Sequence, residues 1–226
     1  MVFISNFGES MKKPYFRYLF KPVLEYPIFI HSVSGFGNVG NIAGDLLIKF
    51  CNAKPFTELY SPSFPDYISI DSNGICSLPR YCFFSAEMEK KDFIIMTGTV
   101  QPALQDSLAY YELCRKILDF VEKFNCKFII TLEGMSILND TNKIYVAATS
   151  SRIADDFKKM GATIFNKNQI IGTTGLMLGL AKERGINGVC LLGATIGFQQ
   201  DHEAGLSVFN FLIKALDIKK KTKGKE

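Results

Sequence analysis

The sequence predicts an α/β fold: a mostly parallel sheet with helices on both of its faces. Two observations predict it. First, short continuous apolar runs read as strands buried on both faces: Ile28 to Val33, residues 92–97 around Phe93-Ile94-Ile95-Met96, residues 127–132 around Phe128-Ile129-Ile130, and Val189-Cys190-Leu191-Leu192. Second, between these runs lie segments whose apolar residues recur every three or four positions, the mark of amphipathic helices. Strands that alternate with helices lie side by side and parallel, with the helices packed over either face.

In chain order, residues 1–27 are aromatic-rich, broken by Pro14, Pro22 and Pro27, and suit short strands or a strap over the core. Residues 28–33 are the first buried strand. Beyond the glycines at 35–40, Val39, Ile42, Ala43, Leu46, Leu47 and Phe50 form one helical face. Residues 55–60 read as a strand. Tyr67 to Ile70 and Ile75 to Leu78 flank Asp71-Ser72-Asn73-Gly74, a strong hairpin signal. With residues 81–84 extending it, this is a small antiparallel excursion over 67–84. The strand at 92–97 leads into a long helix, 103–124, with Leu104, Leu108, Tyr111, Cys114, Ile117, Leu118 and Val121 as its stripe. Strands at 127–132 and 144–148 follow, then a short helix capped by Ser151 and ended before Gly161, and a strand at 162–165. A helix over 174–184 stops at Gly185. After the strand at 189–192, Asp201 caps the last helix, whose face is Gly205, Leu206, Phe209, Leu212, Ile213 and Leu216. No internal repeat or linker interrupts the chain, so residues 1–218 read as one domain.

At 226 residues and 47% apolar, the chain can bury a core that needs no staples. Its net charge of +4 is carried by the last eight residues, Lys219 to Glu226. That lysine-rich tail reads as solvated and disordered, and the remainder is neutral. Without basic-aromatic interleaving elsewhere, nucleic acid is not an expected partner. None of the six cysteines forms C-x-x-C, which argues against a zinc ribbon or a redox pair; most sit in apolar surroundings as small hydrophobes. No apolar run approaches the roughly 20 residues needed to span a bilayer. The opening MVFISNFGESMKK does not read as a signal peptide. A reducing, cytoplasmic setting is expected, with no membrane partner.

The stretch Gly35-Phe36-Gly37-Asn38-Val39-Gly40 spells G-x-G-x-x-G between a strand and a helix. It has two readings. In one it cradles a pyrophosphate, and Glu58, 18 residues after Gly40, takes the ribose hydroxyls. In the other it is a strand-to-helix turn that needs positive φ and close packing. The motif alone is weak, and no G-x-x-x-x-G-K-[ST] accompanies it. His31, inside a strand, reads as a satisfied core side chain rather than a base. Asp201-His202-Glu203 fan about 100° apart on a helix and cannot converge on one ion, so capping accounts for them. No G-x-S-x-G elbow occurs. No catalytic residue, cofactor or metal is therefore assigned.

Position is more informative. In parallel α/β sheets the loops after the strands share one rim. Here the rim collects Gly35, Gly37, Asn38, Gly40, Gln101, Pro102, Glu133, Thr174 and Gly193 as a candidate pocket, with Gln101 and Glu133 as its polar contributors.

Five stretches together resemble the PAC2 family of proteasome assembly chaperones, most closely its archaeal branch. They are Gly35-Phe36-Gly37-Asn38-Val39-Gly40, Gln101-Pro102, Ile129-Ile130-Thr131-Leu132, Ile144-Tyr145-Val146-Ala147, and Gly175 to Ile186 running on through Gly188-Val189-Cys190-Leu191-Leu192-Gly193. The resemblance spans residues 28–216. It implies a three-layer fold related to nucleoside phosphorylases, homo-oligomers, a binding role rather than catalysis, and a glycine turn that serves without a dinucleotide. Family members that dock on the proteasome α-ring use a C-terminal hydrophobic-Tyr-any tripeptide, whereas this chain ends Gly224-Lys225-Glu226. Glu133 and Ala194 also depart from the family's Thr-Leu-Gly-Gly and Leu-Leu-Gly-Glu-Thr stretches.

The expected function is thus a non-enzymatic, assembly-chaperone-like protein that associates with itself and holds proteasome α-subunits or another protein. This reading calls for an apolar patch outside the core, and Pro14 to Phe20 is the candidate, with covering the sheet edge as its other role. The alternative is a nucleoside-like small-molecule binder or enzyme of nucleoside-phosphorylase type using the strand-end pocket. Dinucleotide-dependent oxidoreduction is a third reading, resting on the glycine motif alone.

Overall fold

The computed structural model describes residues 12–89, 91–136, 143–166, 169–197 and 199–219. Apart from Lys219, the lysine-rich tail lies outside them, as do residues 1–11. Among the described residues, eleven strands and five α-helices follow in chain order: β1 (Tyr15–Tyr18), β2 (Ile28–Val33), α1 (Val39–Cys51), β3 (Lys54–Tyr60), β4 (Ser69–Ile70), β5 (Cys76–Ser77), β6 (Tyr81–Glu87), β7 (Asp92–Gly98), α2 (Ser107–Glu122), β8 (Phe128–Ser136), β9 (Ile144–Ala148), α3 (Ser151–Lys159), β10 (Thr163–Ile164), α4 (Gly172–Glu183), β11 (Asn187–Thr195) and α5 (His202–Ala215).

Nine strands form one sheet in the order β1-β3-β6-β7-β2-β8-β11-β9-β10. Its centre, β7-β2-β8-β11, is parallel, as the apolar runs predict. The flanks correct the expectation of a mostly parallel sheet. The pairings β1/β3, β3/β6, β6/β7 and β9/β11 are antiparallel, so the sheet is mixed. For β6/β7 the cause is connection length. A parallel neighbour needs a crossover of a dozen or more residues, and the link from β6 to β7 is far shorter, Met88 to Lys91. Residues 81–84 accordingly belong to β6 in the main sheet and do not extend the hairpin, which is confined to β4 and β5.

Helices cover both faces. On one, Leu113, Cys114, Ile117, Leu118 and Val121 of α2 pack with Met177 and Ala181 of α4 over Phe29, Ile94, Met96 and Ile129. On the other, Val39, Ala43 and Leu47 of α1 join Phe157 of α3 and Val208 and Leu212 of α5 over Ile30, Ile95, Ile130 and Leu191. Asp106, Ser150 and Asp201 cap α2, α3 and α5 by accepting from backbone N–H groups; the α3 cap lies one residue before the expected Ser151. The α2 stripe holds at Cys114, Ile117, Leu118 and Val121 but departs from expectation at its start. Leu104 and Leu108 are 76% and 83% exposed and Tyr111 is exposed too, while Ala109, Tyr110 and Leu113 face inward.

The aromatic N-terminal segment covers the sheet edge. β1 pairs with β3, and Phe16 stacks on Phe120 at 4.3 Å between ring centroids. Next to it, Glu58 is nearly buried and ion-paired to Arg17, with Arg80 Nε at 3.0 Å from its Oε1 and the Tyr60 hydroxyl donating at 3.0 Å. Its strand stands three places from β2, roughly 14 Å away. Glu58 therefore serves this cluster and is not placed to meet a ribose held at the glycine turn. Glu58→Ala should cost about 2 kcal/mol in urea unfolding, less than a fully buried ion pair because both guanidinium groups reach solvent.

Candidate functional site

The bend after β2 owes its shape to local backbone chemistry. Gly37 has φ +61° and Asn38 has φ +54°, left-handed conformations that glycine and asparagine accept. The Asn38 N–H closes the turn on the Gly35 carbonyl at 3.0 Å. Gly40, in the first turn of α1, lies against the Leu132 carbonyl of β8, where any Cβ would overlap the oxygen.

Glu133, near the end of β8, fills the space that Gly35 leaves open. A Cβ at Gly35 would overlap its carboxylate. Its Oε1 accepts from the Phe36 and Gly134 N–H groups, each at 2.9 Å, and its Oε2 from the Thr174 hydroxyl at 3.1 Å. The Phe36 amide, which a diphosphate would seek in a dinucleotide cradle, thus holds an anion of the chain's own. Burial pushes the Glu133 carboxyl above the usual carboxylate range, and these three bonds partly offset the rise. Gln101 is also engaged internally. Its Nε2 donates to the Ser34 carbonyl at 2.8 Å and its Oε1 accepts from the Thr173 N–H at 3.3 Å, which ties the β2 loop to the start of α4.

A cavity of about 720 Å³ opens at this rim, within the range of small-molecule sites. Of the residues expected there, Gly35, Gln101, Pro102 and Glu133 line it. Gly37 and Asn38 line an adjoining hollow of about 330 Å³ with Ser34, Thr99 and Gly197. Gly40, Thr174 and Gly193 line neither; they lie packed beneath, Gly193 against Val39 and Val208 on the sheet's other side. Sequence reasoning missed much of the apolar wall: Tyr110, Phe165, Ile170 and Ile171. Met135 was legible as the residue after Glu133-Gly134 at a strand end, but nothing in the sequence signalled Phe165 or Ile170.

No group of three His, Cys, Asp or Glu among the described residues could hold a metal ion, and no described helix is long and apolar enough to cross a membrane. His31 is fully buried, as expected, but not satisfied: neither ring nitrogen finds a hydrogen-bond partner among the described residues. Burial pushes its pKa down to about 4, only partly opposed by its own backbone.

Exposed apolar side chains gather at the same end of the sheet. β6 starts there, since Cys82 lies opposite Thr97 near the end of β7, and β3 ends there. The β4/β5 hairpin joins these two ends. Ile70 lies opposite Cys76 and Ser69 opposite Ser77. Alternation therefore puts Ile68, Ile70, Cys76 and Leu78 on one face, and all four are exposed. Leu104, Leu108, Tyr111 and Ile171, from the start of α2 and the residue before α4, add exposed apolar surface at this end.

Comparison with known proteins is consistent in sequence and structure. The family model described as the PAC2 family matches residues 29–224. A solved structure described as Pyrococcus furiosus PbaB, an archaeal proteasome activator, superposes with a TM-score of 0.87 at 31% identity, covering 92% of this chain and 91% of that one. Pyrococcus furiosus PbaA, described as an archaeal homolog of proteasome-assembly chaperone, gives 0.76 at 26% identity over 90% and 82%. An uncharacterized protein of Methanocaldococcus jannaschii is 29% identical over 214 residues, 90% of this chain and 81% of its own.

Proposed function

The chain belongs to the PAC2 family, and from that premise we propose that it is a non-enzymatic, proteasome-assembly-chaperone-like binding protein. It associates with itself and holds proteasome subunits or another protein partner at the apolar end of its sheet. The observation that carries this reading is the hairpin's face of Ile68, Ile70, Cys76 and Leu78, turned to solvent instead of to the core. A two-stranded hairpin with its apolar face outward is poorly stable alone, and exposed apolar patches of this kind mark protein contacts. Leu108 and Tyr111 of α2 are further exposed apolar side chains near this end of the sheet.

The test is native mass spectrometry of the chain co-expressed with proteasome α-subunits. The unaltered chain should appear as a complex with α-subunits. Ile70→Glu with Leu108→Glu, both at exposed positions, should leave the fold intact and weaken the complex by at least about thirtyfold, as loss of a hot spot does. A chain that forms no α-subunit complex and stays monomeric, or a double variant that binds as before, overturns the proposal.

The strand-end cavity favours the second reading, a nucleoside-like small-molecule binder or enzyme. Against its phosphorylase form, no Lys, Arg or His among the described residues lines the cavity to receive phosphate.

A further inference from the structure

We propose that the strand-end cavity is a binding site for an amine cation on an apolar stem, anchored by Glu133. The inference narrows the small-molecule reading of this cavity and is independent of protein docking at the apolar rim.

The argument begins with the donors around Glu133. All three are neutral: two backbone N–H groups and one hydroxyl. A carboxylate offers about four lone-pair sites, so one remains, on Oε2. Glu133 is 8% exposed and lines the cavity wall. Among the described residues no cationic side chain forms an ion pair with it. A charge taken out of water is costly unless an opposite charge meets it. Neutral donors orient the carboxylate but leave its charge uncancelled, and its raised pKa reflects the same imbalance.

The rest of the wall sets the remainder of the ligand. Phe36, Leu104, Met135, Phe165 and Ile171 make it largely apolar. A phosphate or carboxylate ligand would add like charge beside Glu133. An alcohol could fill the open lone pair but not balance the charge. An ammonium group does both, and its hydrocarbon or aromatic stem covers the apolar wall. Charge-assisted bonds are roughly twice as strong as neutral ones.

Isothermal titration of the full chain with hexylamine and tyramine, against hexanol and hexanoate of matched size, tests this. Both amines should bind at least about tenfold more tightly than hexanol and hexanoate. Glu133→Gln should abolish that preference while hexanol binding persists. Because Glu133→Gln disturbs three hydrogen bonds, Ile171→Lys provides a second route. Its position is 74% exposed, it leaves Glu133's bonds in place, and the new lysine should compete with the amine and weaken it about tenfold. A lysine capped at both backbone ends separates a partner's side chain from a free amine as the source; binding of either supports the site. Hexanol or hexanoate equal to hexylamine, no amine binding at about 10 mM, or an amine preference that survives both substitutions overturns it.

Discussion

Gly40→Ala should destabilise the protein by about 3–5 kcal/mol, lowering Tm by roughly 10 °C. Alanine is intrinsically the better helix former by about 1 kcal/mol, so a helix considered alone would gain. The loss comes from β8, because the added methyl would overlap the Leu132 carbonyl oxygen. Backbone cannot swing aside as a flexible side chain can, so α1 must lift from the sheet. Gly179 in α4 provides the control: beyond its chain neighbours and the helix's own backbone, nothing lies within 4 Å of where its Cβ would sit, and Gly179→Ala should stabilise by about 1 kcal/mol. Thermal and urea unfolding of the two variants should move in opposite directions. Equal shifts would mean that the glycine turn does not depend on helix–sheet contact.

His31→Leu should stabilise the protein and remove part of its acid sensitivity. Leucine of similar volume relieves two buried nitrogens that lack partners, worth about 1–3 kcal/mol at neutral pH. The second effect follows from linkage. The ring's pKa falls from 6.5 to about 4 on folding, so the unfolded chain takes up a proton first as pH drops. Stability associated with His31 is full above about pH 6.5 and is lost progressively toward pH 4, roughly 3 kcal/mol in total. Between pH 7 and pH 5 the unaltered chain should lose about 2 kcal/mol more than His31→Leu. Urea midpoints at the two pH values measure this directly, and parallel slopes in chain and variant would refute it.

The parallel centre of the sheet was legible because strands buried on both faces must be apolar throughout; Ile28–Val33 read correctly for that reason, and the expected strand at 189–192 is the middle of the longer Asn187–Thr195. The hairpin was legible from Asn73-Gly74, whose Gly74 has φ +78°. The phase of α2 was legible only in part: Cys114, Ile117, Leu118 and Val121 face the core as expected, but contact with the sheet selects Ala109, Tyr110 and Leu113 over Leu104, Leu108 and Tyr111 at its start. Alternation also concealed the antiparallel flanks, since a buried strand looks the same in either direction. At the site, the chain order placed Gly35 and Glu133 on one rim. That the carboxylate occupies the glycine's open space is a fit between residues nearly a hundred positions apart, which no local pattern carries.

The outermost strands of the nine-stranded sheet are its shortest: four residues in β1 and two in β10. A chain seeking to extend the ladder by main-chain pairing would find little length to grip at either margin. Among the described residues, a sheet that continues from one molecule to the next is therefore disfavoured, and the edges are averse to fibre growth.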